Sequence, residues 1–306
     1  MRNDDWFYRR LPLSLAVVFT SIALCGLAAA ADLPEIRQRG VLRHLGIPYA
    51  NFITGSGDGL DVEIVKLFAD HLGVRYEYVP TSWEMWVQDL TGSKVEVEGD
   101  EIKKVVGPSE IKGDLIACGL TILPWREKVA DFSNPTFPTQ VWLLTRGDFP
   151  AHPIKPSQDI DRDIGSVKAL FKEGYIKEVM GKKATCLDPD LYDLPQTGVA
   201  CKLANLNLNE LAPALINGEA ESVLLDVPDA LIALEKWTGQ LKVIGPISEL
   251  QFMSAGFPKD AVELRRSFNE FLVQCRKDGT YLELIKKYYP SAHIYFPEFF
   301  KDVASD

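Results

Sequence analysis

Thr121 and Arg126 stand five positions apart within residues 119–137, GLTILPWREKVADFSNPTF, just before a Phe-Ser-Asn-Pro stretch suited to a bend. A guanidinium offers a planar fork of donors that meets a carboxylate through two parallel hydrogen bonds, and a hydroxyl from the preceding turn can add another. The pair therefore suits the grip of a small carboxylate. Alone it decides nothing, because an Arg in the first turn of a surface helix is ordinarily a solvated charge.

The chain of 306 residues, 46% hydrophobic and 25% charged, has the composition of one large or two medium globular domains. Its first 31 residues differ from the rest. Arg2, Arg9 and Arg10 precede an apolar run over 11–31 that ends in small residues, which predicts a secretory signal peptide cleaved near Ala31 or Asp32. The run is also long enough for an uncleaved anchor, whereas lipid attachment at Cys25 is disfavoured by the bulky Leu24 before it. Cleavage leaves 30 basic against 41 acidic residues, a formal charge of −11. So acidic a chain repels phosphate backbones and anionic membrane surfaces, which excludes nucleic acid as an expected partner. Export also places Cys118, Cys186, Cys201 and Cys275 in an oxidising compartment. Three pairings are open; Cys186 with Cys201, flanking one local segment, is the first expectation, and free buried thiols are the alternative.

Periodicity predicts a strand over 41–46, a loop carrying Tyr49, Phe52 and a glycine cluster, a helix over 61–72 capped by Gly73, and a strand over 74–79. The glycine cluster lacks the Lys and the spacing of a phosphate loop. Residues 82–90 read as a helix with Trp83 and Trp86, residues 94–110 as an inserted hairpin or loop, and 115–118 as a strand entering the Thr121–Arg126 segment. A strand over 141–145 is the first candidate to cross between domains. Beyond a proline-rich connection come helices over 164–171, 188–194, 209–216 and 228–237 with strands over 175–180 and 222–226. Residues 252–257 can cross back, before amphipathic helices over 263–278 and 281–288. Strands followed by helices imply βαβ units in mostly parallel sheets. His44, His71, His152 and His293 show no metal-ligand spacing, and neither a nucleophile elbow nor a zinc motif occurs. A binding module without metal or cofactor is the more economical reading.

Five stretches, in order, carry a resemblance: RQRGVLRHLGIPYANF, GLDVEIVKLFADHLGVRYEYVPTSWEMW, GDLIACGLTILPWREKVADFSNPTF, INGEAESVLLDVPDAL and LRRSFNEFLVQCRKDGTYLELIKKYYP. Together they resemble the bacterial periplasmic solute-binding proteins of the polar amino-acid type, extracellular family 3, over nearly the whole chain after the leader. The resemblance implies an α/β protein of two lobes, the type II periplasmic-binding-protein fold, each lobe a mostly parallel sheet flanked by helices and joined to the other by two hinge strands. It places the first lobe at about 32–143 plus 254–306, with 94–110 inserted, and the second at about 146–251.

The same resemblance implies roles for matching positions. Arg126 would hold the ligand's α-carboxylate with Thr121 and a backbone group at Gly119, while Asp226 would take the α-ammonium group and Thr185 would add a hydroxyl from the second lobe. Tyr49 and Trp83 would sandwich the ligand's body; Trp86 reads as core. Asp226 has a plain alternative, since an Asp at a strand end before Val-Pro can simply cap the next helix. Two departures stand out: Gly46 replaces an Asp common in members that hold basic side chains, and Leu123 replaces a Thr that commonly caps the Arg-bearing helix. The implied protein is a periplasmic monomer that captures an amino acid or other small carboxylate and delivers it to an inner-membrane ABC permease. A dehydratase of the cyclohexadienyl type on the same fold is the second reading, and a ligand sensor the third.

Overall fold

The computed structural model describes residues 30–290 and 292–301; the expected leader lies outside them except for Ala30 and Ala31. Among the described residues, two five-stranded sheets carry the architecture. In the first, β1 (Val41–Gly46) runs parallel to β2 (Arg75–Pro80) and to β5 (Leu115–Ile116). Across β5 the sheet continues antiparallel through β14 (Gly256–Phe257) to β6 (Asp131–Phe132). In the second, β10 (Ala200–Leu203), β9 (Glu178–Gly181) and β11 (Ser222–Asp226) are parallel. There β8 (Val141–Arg146) lies antiparallel between β11 and β12 (Leu241–Pro246). The βαβ strands thus supply the parallel part of each sheet, and segments entering from the other sheet supply antiparallel neighbours.

Two further segments join the sheets. β7 (Phe137–Thr139) leads through Gln140 into β8, and β13 (Gln251–Met253) leads back towards β14; the two pair antiparallel, Gln251 opposite Thr139 and Met253 opposite Phe137. Residues 94–106 form a hairpin of their own, β3 (Lys94–Glu98) and β4 (Glu101–Val106), outside both sheets. Its alternate Val95 and Val97 pack on the core while Lys and Glu face solvent, the period of a half-covered strand.

Local chemistry explains the element ends. Asp32 caps the Leu33–Arg39 helix in a capping box with Glu35, and its carboxylate also accepts the N–H groups of Glu263 and Leu264, tying the start of the fold to the Val262–Lys277 helix. The Leu60–Leu72 helix ends at Gly73 with φ +71°, as its C-cap position requires. The helix expected over 188–194 is instead a pair of 3₁₀ turns, Pro189–Tyr192 and Leu194–Thr197, because Asp193 sits in the left-handed region between them and prolines start both. No described helix is long and apolar enough to cross a membrane.

The expected Cys186–Cys201 bridge is not formed, and all four described cysteines are free. The Cys186 thiol donates to Asp226 Oδ2 at 2.9 Å, whereas Cys201, on β10, turns its thiol to the Val199 carbonyl at 3.7 Å. The two sulfurs serve separate partners.

Candidate functional site

Strand β5 runs into a tight turn whose pivot, Gly119, has φ +65°. A Cβ there would lie 2.5 Å from the buried Phe52 ring, so only glycine fits. The Gly119 N–H donates to Asp61 Oδ2 at 2.6 Å. Burial raises the Asp61 carboxyl to about 7 against this hydrogen bond, from 3.8 when free. An acid whose folded pKa is raised makes the fold lose stability as pH climbs from about 4 to about 7, and the loss is complete above that. Asp61→Asn keeps an acceptor for Gly119 and is expected to flatten that slope, worth on the order of a few kcal/mol. Urea midpoints across that pH window check it; an unchanged slope refutes the assignment.

After the turn, Thr121 bridges to Met253 beside the crossing strands, and Pro124 opens the short Pro124–Glu127 helix. The extended Leu123 before it offers no side-chain cap, as its replacement of Thr implied. The helix nevertheless folds Arg126 back on Thr121, whose carbonyl accepts from Nη1 at 2.8 Å, while Nη2 donates across to the Ala184 carbonyl of the second sheet's lobe at 3.2 Å. Three indoles surround the guanidinium: Trp125 at 5.3 Å, Trp83 at 5.5 Å and Trp86 at 5.9 Å from its carbon to the ring centres. Trp86 is both fully buried core and part of this cage. Burial opposes the guanidinium's charge, and the Asp226 carboxylate offers partial relief. Arg126 Nε is left without an acceptor. So is the Thr121 hydroxyl, which lies near the Cys186 thiol but makes no well-formed hydrogen bond to it.

Asp226 ends β11 and occupies the N-cap position of the Val227–Lys236 helix, yet its side chain makes no capping bond. Its carboxylate is turned into the space between the lobes. Oδ2 accepts from the Tyr49 hydroxyl at 3.1 Å and from Cys186, and Oδ1 faces the Thr139 hydroxyl at 3.4 Å. Burial raises the Asp226 carboxyl, with the donors Cys186 and Tyr49 and then the Arg126 charge holding it down. Cys186 and Tyr49 are pushed well up, both by burial first and by Asp226 next.

Tyr49 stacks on Phe52 and meets Trp83 edge-on at 6.1 Å, so the aromatic pair expected from sequence lies together beside both charges. Thr185 is engaged inside its own turn, donating to the Lys182 carbonyl and accepting from the Leu187 N–H. That turn holds Ala184 at φ +61° with its carbonyl towards Arg126. At Gly46 a Cβ would meet the Tyr78 ring and the end of Ile53, so a side chain there requires both to move. Cys186, Thr139 and Tyr192, whose hydroxyl donates to the Cys186 carbonyl at 2.5 Å, were not singled out as site residues from sequence. Sequence marked Cys186 only as a disulfide candidate, and Thr139 and Tyr192 stand in no motif. Among the described residues, no group of three His, Cys, Asp or Glu side chains could hold a metal ion. His44 is buried, with one ring nitrogen at the Ala117 carbonyl and the other at the Tyr76 hydroxyl.

A caged guanidinium facing a buried carboxylate across two lobes can be compared with known proteins. Residues 106–291 match the model of the bacterial extracellular solute-binding proteins, family 3. The chain belongs to that family. It is a solute-binding protein with the two-lobed type II fold. Among curated relatives, the L-cystine-binding protein TcyJ of Escherichia coli is 24% identical over 266 residues, covering 84% of this chain and 85% of the relative. The membrane-bound lytic murein transglycosylase F of Desulfosudis oleivorans is 25% identical over 234 residues, covering 76% of this chain; the chain spans only 44% of that relative's length. Among solved structures, the ancestral amino acid-binding protein AncCDT-1, a precursor of cyclohexadienyl dehydratase, superposes with a TM-score of 0.63 at 24% identity, covering 86% of this chain and all of that one.

Proposed function

We propose that this family 3 protein captures a small α-amino acid or close derivative between its lobes, in the periplasm, as a monomer, for an inner-membrane ABC permease. The lobes would comprise about 32–143 with 254–306, and 146–251. One observation carries the reading: Arg126 Nε and the Thr121 hydroxyl are buried donors without partners, opposite an Asp226 carboxylate that declines to cap its own helix. A buried donor left unpaired is costly, and a ligand carboxylate would satisfy both while its ammonium reaches Asp226. Tyr49 and Trp83 would cover the body, Gly119 would shape the turn, and Thr185 would hold Ala184 in place. The name of the TcyJ relative supports an amino-acid class of ligand.

Arg126 sits on one lobe and Asp226 on the other, so only the closed state would engage both ends of the ligand, and that difference in affinity would drive hinge closure about β7 and β13. Micromolar binding requires only about −8 kcal/mol. Calorimetry with L-amino acids, beside the matching amines and carboxylic acids, tests the reading. Intact amino acids are expected to bind and each half-molecule to bind far less. Asp226→Asn keeps an acceptor for Tyr49 and removes the charge, so affinity should fall about tenfold to a hundredfold. Amino-acid affinity unchanged between wild type and Asp226→Asn would remove Asp226 from the clamp.

A further inference from the structure

The Val227–Lys236 helix starts directly after Asp226 and sets Asp229, Ala233 and Lys236 along one face. That face lines a cavity of about 170 Å³, with Asn209 beside it and Ala50 and Asn51 opposite, from the loop that follows Tyr49. Both lobes wall the cavity, and the Ala50 N–H donates to Asn209 Oδ1 across it at 2.9 Å. Two of its lining residues, Ala50 and Asp229, follow Tyr49 and Asp226 by one and three positions, and Tyr49 and Asp226 are hydrogen-bonded to each other.

Asp229 is only 6% exposed, and no hydrogen bond or ion pair joins its side chain to any described residue. Its Oδ2 is sealed from solvent with no donor. A carboxyl so placed is costly unless a partner arrives. Burial, then the Asp226 charge, push it up to about 7. The titratable groups that face it are Asp226, Tyr49, Tyr289 and Lys236. Lys236 is two helical turns away, about 10 Å along the axis, and lies over the Trp237 ring. Among the described residues, no cation therefore neutralises Asp229.

We infer that Asp229 is a second cation subsite of the cleft, receiving an ammonium on a side arm of the ligand that leaves Asp226 and enters this cavity. The inference rests on the proposed clamp of Arg126 and Asp226 for the arm's origin. It selects diamino acids over their uncharged counterparts.

Calorimetry with L-ornithine and L-norvaline, which share three side-chain carbons and differ in the terminal ammonium, tests it. The protein is expected to hold ornithine about tenfold tighter or more, and Asp229→Asn to bring ornithine to the level of norvaline measured in the same variant. Equal affinities in the wild type, or a preference that survives Asp229→Asn, overturn the inference. If Asp229→Asn does not fold, the ornithine-to-norvaline ratio in the wild type is followed from roughly pH 6 to 8, where it should rise as Asp229 ionises; a flat ratio counts against the subsite. 1,4-Diaminobutane, which has no carboxylate for Arg126, separates the two ideas. Diaminobutane binding that Asp229→Asn weakens, with no amino acid bound, sustains the subsite and refutes the clamp. Ornithine binding lost in Arg126→Ala but indifferent to Asp229→Asn does the reverse, and failure of all three probes to bind refutes the subsite.

Discussion

Arg126→Ala is expected to weaken amino-acid binding by about a hundredfold or more while leaving the protein folded. The guanidinium is the charge that the proposed clamp offers a carboxylate, and removing one member of a desolvated charge pair costs on the order of 2 to 5 kcal/mol. The unliganded fold suffers less. Arg126 is buried without an ion pair in the described structure, so its removal relieves an uncompensated charge even as it leaves the Thr121 and Ala184 carbonyls without donors and opens a hole among Trp83, Trp86 and Trp125. Arg126→Lys should restore little, because one ammonium cannot meet a carboxylate through two parallel bonds while reaching both carbonyls. Calorimetry and a thermal melt on the same preparations separate binding from folding. Affinity within about threefold of wild type in a folded Arg126→Ala protein would dismiss the carboxylate grip.

Gly119→Val should destabilise the fold by about 3 kcal/mol or more. A left-handed backbone costs a branched residue roughly 1 to 2 kcal/mol, and overpacking a filled core adds a similar amount. Here the new Cβ meets the ring of Phe52, which is fully buried. Phe52 cannot step aside freely: it stacks on Tyr49, lies edge-on to Phe137 and tilts against Tyr289. A displaced Phe52 therefore carries Tyr49 with it, and the damage reaches Asp226. Urea denaturation should show a lower midpoint, with Gly119→Ala between the two; a loss under about 1 kcal/mol would mean that the turn yields.

Strands with clear breaks at their ends were legible from sequence. Strand β1 and strand β11 match the expected 41–46 and 222–226 residue for residue, because each run is bounded by charge, glycine or proline. Strand β10 escaped, since Ala200–Leu203 is mostly exposed at a sheet edge and carries a Lys in its middle. Strand β12 escaped for a related reason: Leu241–Pro246 holds a lysine, a glycine and an irregular register against β8. At the site, Thr121 and Arg126 are neighbours in sequence, so their chemistry could be read locally. Cys186, forty residues from Asp226 and 2.9 Å from its carboxylate, could not. Its neighbourhood to Cys201 suggested a disulfide, whereas the contact that matters is made by tertiary packing. Asp229 hid in the same way, as one more acid in the first turn of a helix, where an acid normally complements the dipole.

The Tyr49 hydroxyl and the Cys186 thiol give Asp226 two donors of the protein's own. Arg126 likewise borrows carbonyls from both lobes. An amino acid entering the proposed clamp would therefore compete with these contacts rather than with water alone, and its affinity would be the difference between the two. Removing one such contact, as with Cys186→Ala, lowers the competition without touching the charges, so specificity and strength of capture can drift apart in this cleft.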